Sequence, residues 1–462
     1  MVSDHDSQKT ATGPTDAASS ALEKPSAADQ LPDVPDGGLR AWMVVAGTMA
    51  ANASTFGFVN SWGVFQTFYQ ETLLANNSSS AIAWIGSIQY ALIFLPGLLT
   101  GRLFDLGYFK LPYSISSVLL VAFTILIGEC KQYWHFLLCQ AFGAGLMCGV
   151  IFGPTLSVVG HWFRKKRGIA FGFSAIGSSV GGTVFPIAIH KLIPQVGFAW
   201  TMRIVALLLL VLLTFANLTV ARRLPPSPQK RSMIDISLFK TKPEYTIYTL
   251  SAFTSFLGLY TMLTYIDLSG VQAGINADFS FYLVAIANAG SVVGRIGGGV
   301  LADRFGESSS GCGYGQRSPM GLASPLNVLA PMTLVAAVMT FAWPFAQTKG
   351  ALTAVAVLYG IVSGSYISTF ALPLMTMGPL TDIGRRAGMT LTIAAFGALF
   401  GPPISGAILR APGGSFADVG YYASGIILCA VVLMLITRQL QLRRQLGAET
   451  GSVWLYAVRV KV

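Results

Sequence analysis

The sequence predicts an all-α membrane protein in which twelve transmembrane helices form two pseudo-symmetric six-helix bundles. Of its 462 residues, 53% are hydrophobic and only 11% are charged, whereas soluble globular proteins carry about a quarter charged residues. Twelve apolar runs approach or exceed the ~20 residues that a membrane crossing needs. A polar, proline-containing stretch at residues 222–245 divides these runs into two sets of six.

Polar segments flank and join the two predicted bundles. Residues 1–35 are rich in Ser, Ala, Asp and Pro, which predicts a disordered cytoplasmic tail without a cleavable signal peptide. The first bundle covers residues 36–221 and the second covers 246–438. The linker at 222–245 and a tail at 439–462 are predicted to be cytoplasmic. The spans are predicted at residues 41–69, 81–104, 111–128, 136–159, 168–192, 198–220, 246–271, 279–301, 326–344, 351–375, 388–409 and 419–437.

One internal segment departs from this pattern. Residues 307–324 are rich in Gly and Ser and show no hydrophobic period, although only a short loop is expected after Gly306. Two interpretations stay open. The segment is an irregular cytoplasmic loop, or it is a retained intron that has been translated, because Pro325 would join cleanly to Gly306.

Basic residues near the span ends orient the chain, since cytoplasmic loops carry an excess of Lys and Arg. With the N-terminus in the cytoplasm, the inner segments hold most basic residues, including the cluster at 164–167. The outer segments hold Lys131, Lys191, Lys349 and Arg410. Both termini are therefore predicted to be cytoplasmic. The plasma membrane is the predicted location, with the vacuolar membrane as the alternative.

A glycine-rich motif follows the second and the eighth predicted spans. Its residues are Gly101 and Asp105 in the earlier copy and Gly299, Asp303, Arg304 and Gly306 in the later copy. Glycines let two helix backbones approach closely. An acid where a helix leaves the lipid is positioned to accept hydrogen bonds from free N–H groups at a neighbouring helix start. The motif therefore predicts a sliding helix contact with an electrostatic latch.

A second repeat indicates that the two halves arose by internal duplication, a common construction in carriers. Three glycines follow a basic cluster in the fifth span, and three recur at the same spacing in the eleventh. They are Gly168, Gly177 and Gly181, and then Gly388, Gly397 and Gly401. We expect small residues at these positions to let gate-forming helices pack closely. Ordinary helix packing explains any single glycine equally well.

Two more motifs carry a resemblance to a known family. One precedes the first span and the other precedes the fifth. Their residues are Asp36, Gly37, Gly38 and Trp42, and then Arg164, Lys165, Lys166, Arg167 and Gly168. The latch motif resembles the signature loop of the major facilitator superfamily, and these two motifs resemble signatures of its monocarboxylate porter family in the fungal form. The resemblance covers residues 35–438 and implies that superfamily's fold, with alternating access around a midplane site.

The same residues have a physical interpretation of their own. Asp36 and the two glycines predict a turn ahead of a helix start, where the carboxylate satisfies free N–H groups. Trp42 suits a membrane interface. The basic cluster at 164–167 fixes the inner side of the membrane. A role in topology and packing alone explains all of these residues as well as a role in transport.

The resemblance also exposes departures from the family. Proton-coupled lactate carriers of this family use a lysine on span one and an acid–arginine pair on span eight. Those positions correspond here to Asn60, Ser291 and Arg295, so only the arginine is retained. This pattern argues against lactate–proton symport and leaves protons as an open candidate for the coupling ion.

Arg295 is the strongest candidate for a substrate contact. A charge inside the bilayer is unfavourable, by at least ~2.5–3.5 kcal/mol for arginine at the centre. We therefore expect this residue to face a water-filled cavity and to favour a carboxylate, enolate or carbonyl oxygen. The alternatives are snorkelling towards the inner surface and pairing with a loop acid. Asn60, Asn288 and Tyr366 are further candidates, which line the cavity or bridge helices by hydrogen bonds.

Several classes of function are disfavoured. The net charge of +11 does not indicate nucleic-acid binding, because the basic residues lie at loop edges and form no continuous stripe. The sequence shows neither a phosphate-binding loop nor zinc-ligand spacing, so we expect no enzyme activity, no metal and no cofactor. Two overlapping sequons on the first outer loop make Asn76 and Asn77 candidate glycosylation sites.

The sequence thus predicts a monomeric secondary active transporter whose partners are the lipid bilayer and a small organic molecule, anionic or amphipathic. Loss of the coupling lysine and acid favours export of a secondary metabolite over import of monocarboxylates or a vitamin such as riboflavin. A membrane sensor that binds a metabolite without moving it is the alternative from another class, and a channel is a third. The short linker and tail argue against the sensor.

Overall fold

The structure is a computed structural model and describes residues 36–226, 234–306, 324–378 and 382–447. In these ranges every regular element is helical, and 12 helices are long and apolar enough to cross a membrane. They are α1 (Leu39–Leu73), α2 (Ala81–Asp105), α3 (Lys110–Ile127), α4 (Tyr133–Trp162), α5 (Arg167–Val196), α6 (Phe198–Thr219), α7 (Pro243–Gln272), α8 (Ala277–Arg304), α9 (Leu326–Phe345), α10 (Lys349–Thr376), α11 (Ile383–Arg410) and α12 (Phe416–Arg444). The predicted all-α fold with twelve spans is confirmed.

Three predicted segments lie wholly or mostly outside the described residues. They are the N-terminal tail at 1–35, the irregular segment at 307–324 and the C-terminal tail predicted at 439–462. Residues 439–447 of that last segment are described, and they continue the last helix, which ends at Gly447. The predictions for these segments therefore stay predictions. We refer below to α1–α6 as the first half and to α7–α12 as the second half.

Among the starts of the predicted spans, the largest difference lies at α11. The eleventh span was expected to begin at Gly388, after the basic residues, but α11 begins at Ile383 and includes Arg385 in its first turn. Arg385 is only 3% exposed. Its guanidinium lies 2.6 Å from the carboxylate of Asp382 and 3.1 Å from that of Asp235. These acids supply the opposite charge that a buried arginine requires. Hydropathy along the chain contains no information about such ion pairs, so the predicted span began after the basic residues.

Helix α1 is irregular where it reaches the middle of the molecule. Residues Ala53–Gly57 form a π-helical turn, and Asn60 and Ser61 form a turn between two helical stretches. Such departures from α-helical geometry often occur at functional sites. The break at Asn60 is therefore the first structural sign of a site at this level of the molecule.

The outermost helices are those with exposed apolar faces. In the central windows of α3 and α6 only 33% of residues are buried, against 72% in α1 and α10. Leu111 and Val118 on α3 and Leu207 and Leu218 on α6 are each 60% or more exposed. Apolar side chains on the outer surface of a membrane helix are stable only against lipid. The helices with the higher buried fractions form the interior in which the site is built.

The linker between the halves packs against the second half. It contains a short helix, Ile236–Thr241, whose N-terminus is capped by the Asp235 carboxylate. The Ser237 hydroxyl donates to that carboxylate and holds the pKa of Asp235 below its ordinary value. Lys242 donates from Nζ to the carbonyl of Met377 at 2.8 Å. These contacts attach the linker to the starts of α7 and α11 and to the end of α10.

Candidate functional site

A cavity lies between the two halves, and eight helices line it. The first half contributes α1, α2, α4 and α5, and the second half contributes α7, α8, α10 and α11. The space between the lining atoms totals about 1140 Å³, counting the mouth of the cavity. All four residues that the sequence proposed as substrate contacts lie in its lining, namely Asn60, Asn288, Arg295 and Tyr366.

Arg295 is buried in the cavity wall, with 3% of its surface exposed. Its Nη1 atom donates to the carbonyl oxygen of Ala175 and to the hydroxyl of Ser178, both on α5. Its Nε atom donates to no described residue. The expected alternatives, snorkelling or pairing with a loop acid, do not occur among the described residues. The guanidinium thus joins α8 to α5 and retains a free donor beside the cavity.

Further polar contacts run along the same pair of helices. The hydroxyls of Ser179 on α5 and Ser291 on α8 lie 2.5 Å apart. About one helical turn away on the same two helices, Asn288 donates from Nδ2 to the carbonyl of Gly182 at 3.2 Å. Because α5 belongs to the first half and α8 to the second, each bond crosses between the halves. The polar side of the cavity is therefore also a contact between the two halves.

Helix α1 adds two asparagines to this polar side. Asn60 accepts a hydrogen bond at Oδ1 from the hydroxyl of Tyr90 on α2, at 2.8 Å. The Tyr90 ring lies 5.8 Å from that of Tyr260 on α7. Asn52 donates to the backbone carbonyl of Ser174 at 2.9 Å, while its Oδ1 accepts from no described residue. Asn52 Oδ1 and Arg295 Nε are thus a buried acceptor and a buried donor, on residues of the cavity lining, that bond to no described residue.

Aromatic side chains line the rest of the cavity. Phe56 on α1 packs against Phe152 on α4 with ring centroids 4.8 Å apart. Phe94 on α2 packs against Phe256 on α7 at 4.9 Å, which continues the contact across the two halves. Phe256 in turn lies 5.7 Å from Phe370 on α10. Aromatic surfaces of this kind bind the apolar body of a ligand, so the cavity suits an amphipathic molecule.

The two predicted latches lie together at one end of the molecule, which we call the latch end. The Asp303 carboxylate on α8 accepts from the backbone N–H of Gly168 at 2.5 Å and of Ile169 at 2.8 Å, at the start of α5. A methyl group added at Gly299 would lie 2.2 Å from the carbonyl oxygen of Gly168. Glycine is required there because the two helix backbones touch.

The earlier copy of the glycine-rich motif makes the equivalent contact between α2 of the first half and α11 of the second half. The Asp105 carboxylate on α2 accepts from the backbone N–H of Gly384 at 3.1 Å and of Arg385 at 2.8 Å, at the start of α11. A methyl group at Gly101 would lie 2.0 Å from the carbonyl oxygen of Gly384. Each half therefore supplies one carboxylate to a helix start in the other half, where the positive end of the helix dipole favours it.

This geometry corrects one detail of the glycine repeat. The sequence paired Gly168 with Gly388, but the partner of the Asp105 latch is Gly384, one helical turn earlier. Gly388 instead packs against Gly97, since a methyl group added there would lie 2.2 Å from the Gly97 carbonyl oxygen. The shift follows from the earlier start of α11. The last two residues of the later motif lie past the contact between Asp303 and α5. Arg304 is exposed, and Gly306 is the last residue of the helix that contains α8.

The motif ahead of α1 acts on a distant helix start and not on its own. Asp36 has a positive φ of 49°, and its Oδ1 atom accepts from the backbone N–H groups of Arg164 at 2.5 Å and of Lys165 at 2.6 Å. The sequence predicted that the carboxylate satisfies free N–H groups of a helix start, and the structure places these groups in the turn before α5. Trp42 packs edge-on against Phe163 at 5.2 Å.

The remaining members of both signatures lie around this turn. Gly38 has a φ of 87°, a conformation that favours glycine, and Gly37 has open space around it. Lys166 is exposed, and Arg167 donates from Nε to the carbonyl of Phe163 at 2.7 Å. The sequon residues Asn76 and Asn77 are exposed in the turn between α1 and α2, so their glycosylation stays a prediction.

Sequence reasoning missed most of the cavity lining, including all of the phenylalanines. A signal was present, because residues at intervals of three and four share one helix face. Polar residues recur in this way within apolar spans, as in Asn288, Ser291 and Arg295 on α8. The aromatic residues gave no such signal, since phenylalanine is equally expected in a lipid-facing position.

The fold and the site together define a membrane carrier: twelve spans, a cavity between two halves, and paired contacts that close one end. A family model for the Major Facilitator Superfamily matches residues 48–376. The chain is 35% identical over 422 residues to the MFS transporter asaE of Aspergillus flavus, covering 90% of this chain and 91% of that one. The chain belongs to the Major Facilitator Superfamily.

Two further relatives carry names that specify a cargo. The aspyridones efflux protein apdF of Emericella nidulans is 35% identical, with 90% of this chain and 80% of that protein covered. The fujikurins efflux protein of Gibberella fujikuroi is 32% identical, with 96% and 95% covered. Among solved structures, the human organic anion transporter MFSD10 superposes with a TM-score of 0.66 at 14% identity, covering 85% of this chain and 99% of that one. That likeness concerns the fold.

Proposed function

We propose that this protein exports an acidic, amphipathic secondary metabolite by alternating access, with Arg295 as the contact for the acidic group. The observation that carries the proposal is a guanidinium buried in the cavity wall with 3% exposure. Its described partners are a carbonyl oxygen and a hydroxyl, both uncharged. A buried cation without an opposite charge is unfavourable. An anionic substrate supplies that charge and gains a strong, charge-assisted hydrogen bond.

Export is favoured over import by the functions that the names of two relatives state. Two of them are named efflux proteins, for aspyridones and for fujikurins. The aromatic lining, which includes Phe56, Phe94, Phe152 and Phe256, suits the apolar body of such a molecule better than a two- or three-carbon acid. The signatures at Asp36 and at residues 164–168 support placement in the monocarboxylate porter family. We further propose a monomer in the plasma membrane, with both termini in the cytoplasm.

The mechanism is rocking of two halves around this site. In the described conformation the latch end is closed by Asp303 at the start of α5 and by Asp105 at the start of α11. Opening that end requires both carboxylates to exchange backbone N–H donors for water. Substrate shifts this equilibrium only through a difference in its contacts with the two conformations, and the bond from Arg295 to α5 is a contact that such a change would break.

The proposal is tested by export in cells and by flux with the purified protein. Deleting the gene should move the cargo from the medium into the cells, measured by metabolite profiling of both fractions. An unchanged partition would refute export. In liposomes, Arg295→Gln should abolish saturable flux. Arg203→Gln is the matched control, because that arginine pairs with Glu129 at 2.8 Å with 42% of its side chain exposed, away from the cavity. Ligand binding without flux in the wild type would indicate the membrane sensor instead.

A further inference from the structure

The cavity carries one fixed charge over the physiological pH range. Of the described residues that line it, Arg295 alone is charged, and the other titratable groups are the phenols of Tyr260 and Tyr366. Tyr90 lies behind Asn60, to which it donates its hydroxyl. A tyrosine ordinarily titrates near pH 10 and an arginine above pH 12. The part of the lining that the structure describes therefore provides no group that ordinarily gains or loses a proton between pH 5 and pH 8.

The described carboxylates and histidines on the surrounding helices lie outside the cavity lining. On α7, Asp267 is four residues beyond the lining residue Leu263 and accepts at Oδ1 from the backbone N–H of Leu268 at 2.7 Å, and Glu244 pairs with Arg444. Asp303 lies eight residues from Arg295 along α8, about 12 Å at 1.5 Å per residue, and both of its oxygens accept backbone N–H groups. Asp105 does the same on α2. The rings of His161 and His190 pack on Phe104 and Phe281, with centroids 5.0 and 4.6 Å apart. None of these groups is in the cavity lining.

From this arrangement we propose that the substrate crosses as a bare anion without proton exchange, so that transport is electrogenic and the membrane potential drives export. The inference rests on the proposed function. Arg295 stays on α8 in both conformations, so the protein moves little charge of its own, and each loaded transit carries one negative charge outwards. A potential of 100 mV is worth about 2.3 kcal/mol per charge, which corresponds to an accumulation ratio of about 50-fold.

The experiment uses the full chain in liposomes with 1-naphthalenesulfonate, an aromatic anion that stays ionised at every pH used. Valinomycin and potassium gradients set the potential at −100, 0 and +100 mV, and a trapped pH dye reports proton movement. The expected result is a steady-state distribution of the probe that changes about 50-fold per 100 mV and does not respond to a pH gradient. Proton movement should equal that in empty liposomes.

The alternative outcomes separate this inference from the function on which it rests. A distribution set by the pH gradient and not by the potential would overturn the electrogenic mechanism and leave the carrier intact. Binding without flux, measured by quenching of tryptophan fluorescence, would overturn the proposed function as well. Failure of the wild type to bind the probe, or equal binding by Arg295→Gln, would overturn the anion site and the inference together.

A variant that adds a charge to the cavity provides an independent test. Ser291 lies one helical turn before Arg295 and also lines the cavity, so Ser291→Asp places a carboxylate next to the guanidinium. That carboxyl stays ionised between pH 7.5 and pH 5, because the neighbouring positive charge lowers the pKa of an acid. The paired carboxylate competes with the anionic probe, so the flux of this variant should be about tenfold or more below that of the wild type throughout this range, while the wild-type flux stays constant. Undiminished flux in the variant, or a wild-type flux that changes with pH, would contradict the inference.

Discussion

Replacing Gly299 with alanine is expected to open the latch end by forcing α8 away from α5. The added methyl carbon would lie 2.2 Å from the carbonyl oxygen of Gly168 and 3.2 Å from the nitrogen of Ile169. Ordinary contact begins near 3.4 Å, and the obstruction is backbone, which has no rotamer to relieve it. The helices must therefore separate by about 1 Å, a distance that packed interiors do not absorb without strain.

The magnitude follows from the bonds that this separation breaks. Asp303 holds the N–H groups of Gly168 and Ile169 at 2.5 and 2.8 Å, and a further 1 Å takes the carboxylate out of hydrogen-bonding range. Hydrogen bonds to a charged group contribute about 1.5–3 kcal/mol each. Losing two of them disfavours the closed latch by about 3 kcal/mol or more, which is at least ~100-fold in the ratio of closed to open molecules.

The assay measures a distance across the latch in the purified protein. Spin labels are attached at Lys166→Cys and Arg304→Cys, both exposed in the wild type, after replacement of the five native cysteines. Gly299→Ala should shift the distance distribution to longer values. Gly297→Ala is the matched control, two residues away on the same helix, because nothing lies within 4 Å of a methyl group there. Equal distributions in the two variants would refute the argument from backbone contact.

Three other predictions concern single groups. Asp303→Asn should slow conformational exchange more than it weakens binding, because the amide offers fewer acceptor sites to α5; a pure loss of affinity at normal turnover would contradict the latch. The hydrogen bond from Ser237 lowers the pKa of Asp235 in the folded protein. The ionised carboxylate therefore stabilises the fold fully above the ordinary Asp pKa of about 3.9, and this stabilisation is lost as pH falls through the lower pKa of the folded state. Asp235→Asn should therefore lower Tm by a few degrees at pH 7 and have progressively less effect below pH 4, where a constant difference would refute the assignment. Gly182→Ala, whose methyl group would lie 2.8 Å from Asn60 Nδ2, should change substrate affinity with little change in Tm, whereas Gly63→Ala, with open space around it, should change neither; identical affinities would count against a site at Asn60.

Some features of this protein follow from the sequence because they depend on local free energies. Transfer from water to lipid is nearly additive along a helix, so twelve apolar runs sufficed to predict twelve spans. A charge within such a run is so unfavourable that Arg295 was expected to face the interior, and it is buried in the cavity wall. The glycine–aspartate motifs likewise predicted contacts between a carboxylate and a helix start, because free N–H groups there need acceptors.

Which helix start each carboxylate reaches was decided by tertiary structure alone. Asp36 bonds the turn before α5, 128 residues away, and Asp105 bonds α11 at Gly384 and not at Gly388. The register of α11 depends on the acids that surround Arg385, one of which comes from the linker. The aromatic lining also needed the fold, because a phenylalanine facing lipid and one facing a cavity have the same local hydropathy. Those choices depend on packing between distant segments, for which the order of residues along one helix carries no energetic signal.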